Sequence, residues 1–124
     1  MARILVIDDE VYIRNILRQL FEREGYEVLE ASDGIEGMDI YTKEYPDLVI
    51  TDLIMPNKEG IEMIMELRSS FPQVNVIAIT GGGHVGTDTY LNVAKGLGAQ
   101  RIFAKPFDLK DILSAVNEIL KDVK

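Results

Sequence analysis

Five short aliphatic runs divide the chain: RILVI (3–7), EVLEA (27–31), DLVIT (47–51), VIAIT (76–80) and RIFA (101–104). Four are nearly continuous in apolar residues, the pattern of strands buried on both faces. EVLEA is broken by glutamate and is expected towards an edge. Helical patterns fill the intervals. Ile13, Ile16, Leu17, Leu20 and Phe21 follow the i, i+3, i+4, i+7, i+8 spacing of a one-sided helix, and Gly25 marks its stop. A weaker helix follows Ser32-Asp33-Gly34, over about Ile35 to Glu44, and Pro46 closes it. A third covers about Gly60 to Phe71, with Ile61, Ile64, Leu67 and Phe71 inward. A fourth is expected over about Thr87 to Leu97, flanked by glycines. The last begins with Asp108 as N-cap and buries Ile112, Leu113, Val116, Ile119, Leu120 and Val123.

Five βα units in succession predict an α/β fold, a doubly wound parallel sheet with helices on both faces. The 124 residues suit one domain with a real core. No linker, repeat or low-complexity segment interrupts them, and the pattern closes on the last helix. A single domain over 1–124 with no output domain is therefore expected. No apolar run approaches the roughly 18 residues of a membrane span, and the start lacks the features of a signal peptide. The chain has no cysteine, so neither a disulfide framework nor a thiolate metal site is available. These features predict a cytoplasmic protein without membrane insertion. The formal net charge of −8 argues against direct nucleic-acid binding, which rests largely on phosphate neutralisation.

In an open parallel sheet, ligands bind beyond the carboxyl ends of the strands. The first run ends in Asp8-Asp9, the third in Asp52, the fourth in Thr80 and the fifth in Lys105. Taken singly, each has a plainer reading. Asp8-Asp9 could cap a helix, Thr80 could simply end a strand, and Lys105 could be a solvated surface lysine. Together they deliver three carboxylates, a hydroxyl and an ammonium to one rim. Adjacent carboxylates at the end of a buried strand repel each other and need a compensator. A hard divalent cation such as Mg²⁺ suits three carboxylates. Beside such an ion a carboxylate can act as nucleophile on a phosphoryl group, while lysine and hydroxyl hold the phosphoryl oxygens.

The stretches VIDDE (6–10), TDLIMPNKEG (51–60), AIT followed by a small residue (78–81), LGA (97–99) and AKPF (104–107) resemble the receiver domain of two-component response regulators, over essentially the whole chain. The resemblance implies the flavodoxin-like (CheY-like) (βα)5 fold with strand order 2-1-3-4-5. It implies Asp52 as phosphoacceptor. Asp8 and Asp9 would position Mg²⁺ (or Mn²⁺), together with Asp52 and the backbone carbonyl of Ile54. Thr80 would be the switch hydroxyl, Gly81 the small residue that leaves access to the phosphoryl group, and Lys105 its ammonium partner. The Lys105-Pro106 bond would be cis, and Pro56 and Gly60 would shape the loop after the acceptor. A phosphohistidine on a sensor histidine kinase or a phosphotransfer protein would be the donor, and a downstream protein the target.

One position departs from the family's pattern, and the loop after the fourth run is also unusual. Ile102 stands where an aromatic residue usually accompanies the switch, and Phe103, one residue on, faces the opposite side and is read as core. Ile54 and Gly82 follow the acceptor and the threonine by two residues, and neither side chain can orient a water, so slow dephosphorylation is expected. The loop GGGHVGT (81–87) has P-loop glycine spacing, but Thr87 stands where that motif needs lysine. His84 is read as an exposed loop residue. The leading expectation is a stand-alone phosphorylatable switch rather than an enzyme acting on a substrate. The alternatives are an adaptor that no longer depends on phosphorylation and the receiver of a larger regulator. A haloacid-dehalogenase-type phosphohydrolase would need D-x-D-x-T, whereas Asp52 is followed by Leu53-Ile54-Met55.

Overall fold

A computed structural model describes residues 2–54, 60–81, 92 and 95–123. Its strands are β1 (Arg3–Ile7), β2 (Glu27–Ala31), β3 (Leu48–Asp52), β4 (Val76–Gly81) and β5 (Arg101–Lys105). Its helices are α1 (Val11–Arg23), α2 (Gly34–Glu44), α3 (Gly60–Ser70) and α4 (Leu109–Leu120). The strands form one parallel sheet in the order β2-β1-β3-β4-β5.

Alternation along the strands splits the core in two. Ile4, Val6, Ile50, Ile77 and Ile79 face α1 and α4, meeting Leu17, Phe21, Ile112, Val116 and Leu120. Leu5, Ile7, Val49, Val76 and Ala78 face the other way, meeting Tyr41, Met63, Ile64 and Leu67 of α2 and α3. Ile102 packs with this second group and Phe103 with the first, so the two side chains do take opposite faces.

The helix ends follow local chemistry. Gly25 has φ +93°, its N–H donates to Glu22 O at 3.1 Å, and the Tyr26 N–H donates to Phe21 O at 3.1 Å, the paired bonds of a Schellman stop. Asp33 and Asp108 cap α2 and α4 through side-chain oxygens that accept from Glu36 N–H and Lys110 N–H. EVLEA does lie at an edge. RIFA is corrected: β5 forms the other edge, its residues are half-buried and Ala104 is exposed. A strand with one neighbour has no second flank to cover it, whatever its apolar content. Most of the expected fourth helix, with Pro56, Gly82, His84, Gly86 and Thr87, lies outside the described residues. No described helix is long and apolar enough to cross a membrane.

Candidate functional site

Because all five strands run the same way, their carboxyl ends share one rim. The register sets Ile7 beside Thr51, Asp52 beside Ile79, Thr80 beside Ala104 and Gly81 beside Lys105. Asp8 follows β1 directly. It is 2% exposed, and its Oδ1 accepts from the Glu10 N–H at 2.8 Å. The turn it opens is tied down by Arg14, which donates to Asp8 O at 2.6 Å and to Glu30 at 3.1 Å. Asp52 ends β3, is 5% exposed, and accepts from the Ile54 N–H at 3.1 Å. That strand end is tightly boxed in: a Cβ on Gly60 would stand 2.0 Å from Asp52 O and 2.9 Å from Leu53 Cα. Glycine is required there by space. The Lys105-Pro106 peptide bond is cis.

Lys105 is the centre of the charge arrangement. Its Nζ lies 3.0 Å from Asp8 Oδ2, 2.9 Å from Asp52 Oδ2 and 2.8 Å from Glu10 Oε1. Oxygens of these three carboxylates fall within 4.8 Å of one another. Burial, weakly offset by the Glu10 N–H and by Lys105, pushes the Asp8 carboxyl up to about 6. Burial alone would lower the Lys105 pKa, but its hydrogen bonds to Glu10 and Asp52, with the Asp8 carboxylate at ion-pair distance, outweigh it and raise it. Thr80 is fully buried in β4, and its Oγ1 has no hydrogen-bond partner among the described residues. A cleft of ≈ 240 Å³ opens here, lined by Asp9, Glu10, Asp52, Ile54, Gly81 and Lys105.

This donor set fits a hard divalent cation. Three carboxylates face one ammonium, leaving two negative charges uncompensated. Buried Asp8 Oδ2 has Lys105 at ion-pair distance but no hydrogen bond of good geometry. The site can therefore hold a metal, through oxygen ligands.

The structure brings Asp8, Asp52 and Lys105 together as expected, and sets Gly81 and Ile54 in the cleft wall. Asp9 is exposed and lines the cleft without joining the carboxylate cluster. Glu10, a residue with no expected role, joins it instead. Its one local signal was position: Glu10 is the N-cap of α1, where Ser, Thr, Asp or Asn is favoured, and its side chain makes no capping bond.

A doubly wound sheet with buried carboxylates, a lysine and a threonine at one rim is the arrangement the resemblance to receiver domains implies. The response regulator receiver domain family matches residues 4–117, and the chain belongs to it. Receiver domains are phosphoacceptor signalling switches of two-component systems. The chain is 38% identical to sporulation initiation phosphotransferase F of Bacillus subtilis over 118 residues, covering 95% of this chain and 93% of that protein. A receiver domain protein from Clostridium thermocellum is 36% identical, with a TM-score of 0.86 over 98% of this chain and 95% of that one. The response regulator TrrA of Thermotoga maritima, in complex with Mg(2+)-BeF, is 31% identical, with a TM-score of 0.85 over 97% and 100% of the two chains.

Proposed function

We propose that this chain is a stand-alone cytoplasmic response regulator that accepts a phosphoryl group on Asp52. The observation that carries this reading is the contact between Asp52 Oδ2 and Lys105 Nζ, 2.9 Å apart on the wall of an open acidic cleft. An Asp52 carboxylate oxygen attacks phosphorus, the bond from phosphorus to the donor's imidazole nitrogen breaks, and that nitrogen keeps the electron pair and takes a proton from solvent. Lys105 turns its ammonium from the carboxylate to the new phosphoryl oxygens, and the Thr80 hydroxyl offers a second hydrogen bond. Asp8, Asp9 and Asp52, with the Ile54 carbonyl, would hold Mg²⁺ or Mn²⁺. Bound there, the ion would neutralise the carboxylates and polarise the phosphoryl oxygens. The complex of the similar Thermotoga regulator with Mg(2+)-BeF supports this choice of ion.

The donor is a phosphohistidine on a sensor kinase or phosphotransfer protein. A groove of ≈ 530 Å³ next to the site offers it a seat: Tyr12, Ile13, Ile16, Phe107 and Leu109 line it, with Glu10 and Lys105 at the same wall. Phosphorylation then shifts the protein's conformation and controls a downstream protein. Incubation with acetyl phosphate and Mg²⁺ should add the mass of one phosphoryl group. Intact mass spectrometry should find no adduct without Mg²⁺ and none in Asp52→Asn.

Ile102 favours a second reading, an adaptor that works without phosphorylation. Half-buried against the core layer of α2 and α3, it provides no aromatic ring to turn with the switch. A folded, Mg²⁺-binding sample that takes no phosphoryl group would move the assignment there. A receiver within a longer regulator would behave identically in this assay, and the size of the native protein in cell extract separates the two.

A further inference from the structure

We propose that Glu10 is a positioning residue: it holds the Lys105 ammonium at the rim when a divalent cation takes Asp8 and Asp52. This deepens the phosphoacceptor reading and rests on it.

Three observations lead here. First, Lys105 is shared almost equally among Asp8, Glu10 and Asp52, at 3.0, 2.8 and 2.9 Å. Among the described residues no other side-chain cation lies within ion-pair distance of these three. The lysine therefore occupies, electrostatically, the place a cation must enter. Second, the three acceptors differ in burial. Asp8 and Asp52 lie inside, whereas the Glu10 side chain is 56% exposed. Lys105 is only 15% exposed, so its ammonium has little freedom to withdraw into solvent. When a divalent cation binds the inner carboxylates, like-charge repulsion drives the ammonium outward, and Glu10 is the acceptor on that side. Third, Glu10 stands at the N-cap of α1 without capping it. Its side chain is committed to Lys105, 95 residues away in sequence. Its backbone N–H meanwhile fixes it to Asp8 Oδ1 at 2.8 Å, which locks the outer acceptor to an inner one.

Glu10 thus keeps Lys105 within reach of Asp52 while leaving the inner oxygens available. The rival role is direct ligation by Glu10, since its carboxylate lies within the same cluster. A double-mutant cycle separates the two. Mg²⁺ affinity is measured by calorimetry in the parent, Glu10→Gln, Lys105→Met and the double variant. About 0.5 M monovalent salt screens the general effect of one exposed charge. If Glu10 acts through Lys105, Glu10→Gln weakens Mg²⁺ binding at least about fivefold in the parent and less than about twofold in the Lys105→Met background. Equal losses in both backgrounds, or no loss in the parent, overturn the proposal. A parent that binds no Mg²⁺ at all overturns the cation reading beneath it as well. Should Lys105→Met not fold, the side-chain ammonium resonance of Lys105 carries the test. With Mg²⁺ bound, it stays protected from solvent exchange in the parent and loses protection in Glu10→Gln. Equal protection in the two proteins overturns the assignment.

Discussion

Asp8 keeps its proton up to about pH 6 because burial disfavours its charge more than Lys105 and the Glu10 N–H favour it. The sign of the consequence follows from linkage. A folded pKa raised from 3.8 means that this group's contribution to stability is complete below about pH 4 and is lost as pH rises through about 6. The loss is at most about 3 kcal/mol. Asp8→Asn should therefore raise the melting temperature of the cation-free protein at pH 7 and flatten this limb of the stability profile, which thermal melts across pH 4–8 would check. Proton and cation compete for the same oxygens, so Mg²⁺ affinity should fall about tenfold per pH unit below about 6. Calorimetric titrations at several pH values test that slope. Ile54 lines the cleft, is 41% exposed and has no group that could orient a water. The phosphorylated protein should decay slowly, over minutes or longer, and Ile54→Glu or Ile54→Asn should change the rate of phosphate release.

At the scale of elements, β3 and α3 meet at one point where side-chain volume is forbidden. Gly60→Ala forces a Cβ against Asp52 O and should cost about 2–4 kcal/mol while lowering phosphoryl uptake. Gly25→Ala differs in kind. Nothing lies within 4 Å of the added Cβ, and only the positive φ is strained, so about 1 kcal/mol is expected by urea titration, with the site untouched. The apolar runs and helical spacings made the five strands and the described helices readable, because burial on two faces leaves a local signature. β3 runs Leu48–Asp52 rather than 47–51, since an aspartate at a strand end does not resemble a strand residue. The opposite facing of Ile102 and Phe103 was readable from strand alternation alone. The edge position of β5 was not, because strand order is a tertiary fact. Glu10 escaped for the same reason: its partner becomes a neighbour only when β1 and β5 are joined through β3 and β4.

The whole molecule works as one sheet between two apolar layers, and ligand binding should stabilise it as a unit. Mg²⁺ at about 100 times its dissociation constant should add about 2.7 kcal/mol, read as a rise in melting temperature that Asp52→Asn diminishes. The apolar groove between α1 and the start of α4 belongs to this scale too. Ile16→Asp should slow phosphoryl transfer from a protein donor and leave uptake from acetyl phosphate intact, because only the former needs a docking surface.

The two poles of the sheet carry different burdens. The side chains of the candidate site leave from the carboxyl ends of the strands, while the turns at 24–26, 45–47 and 71–75 close the opposite end. Substitutions in those turns alter how firmly the protein stands without reaching the reactive chemistry. Robustness and reactivity can thus be tuned by separate sets of residues, and a lineage built on this frame can acquire new partners and phosphoryl lifetimes at one pole while the other pole absorbs the loss of stability.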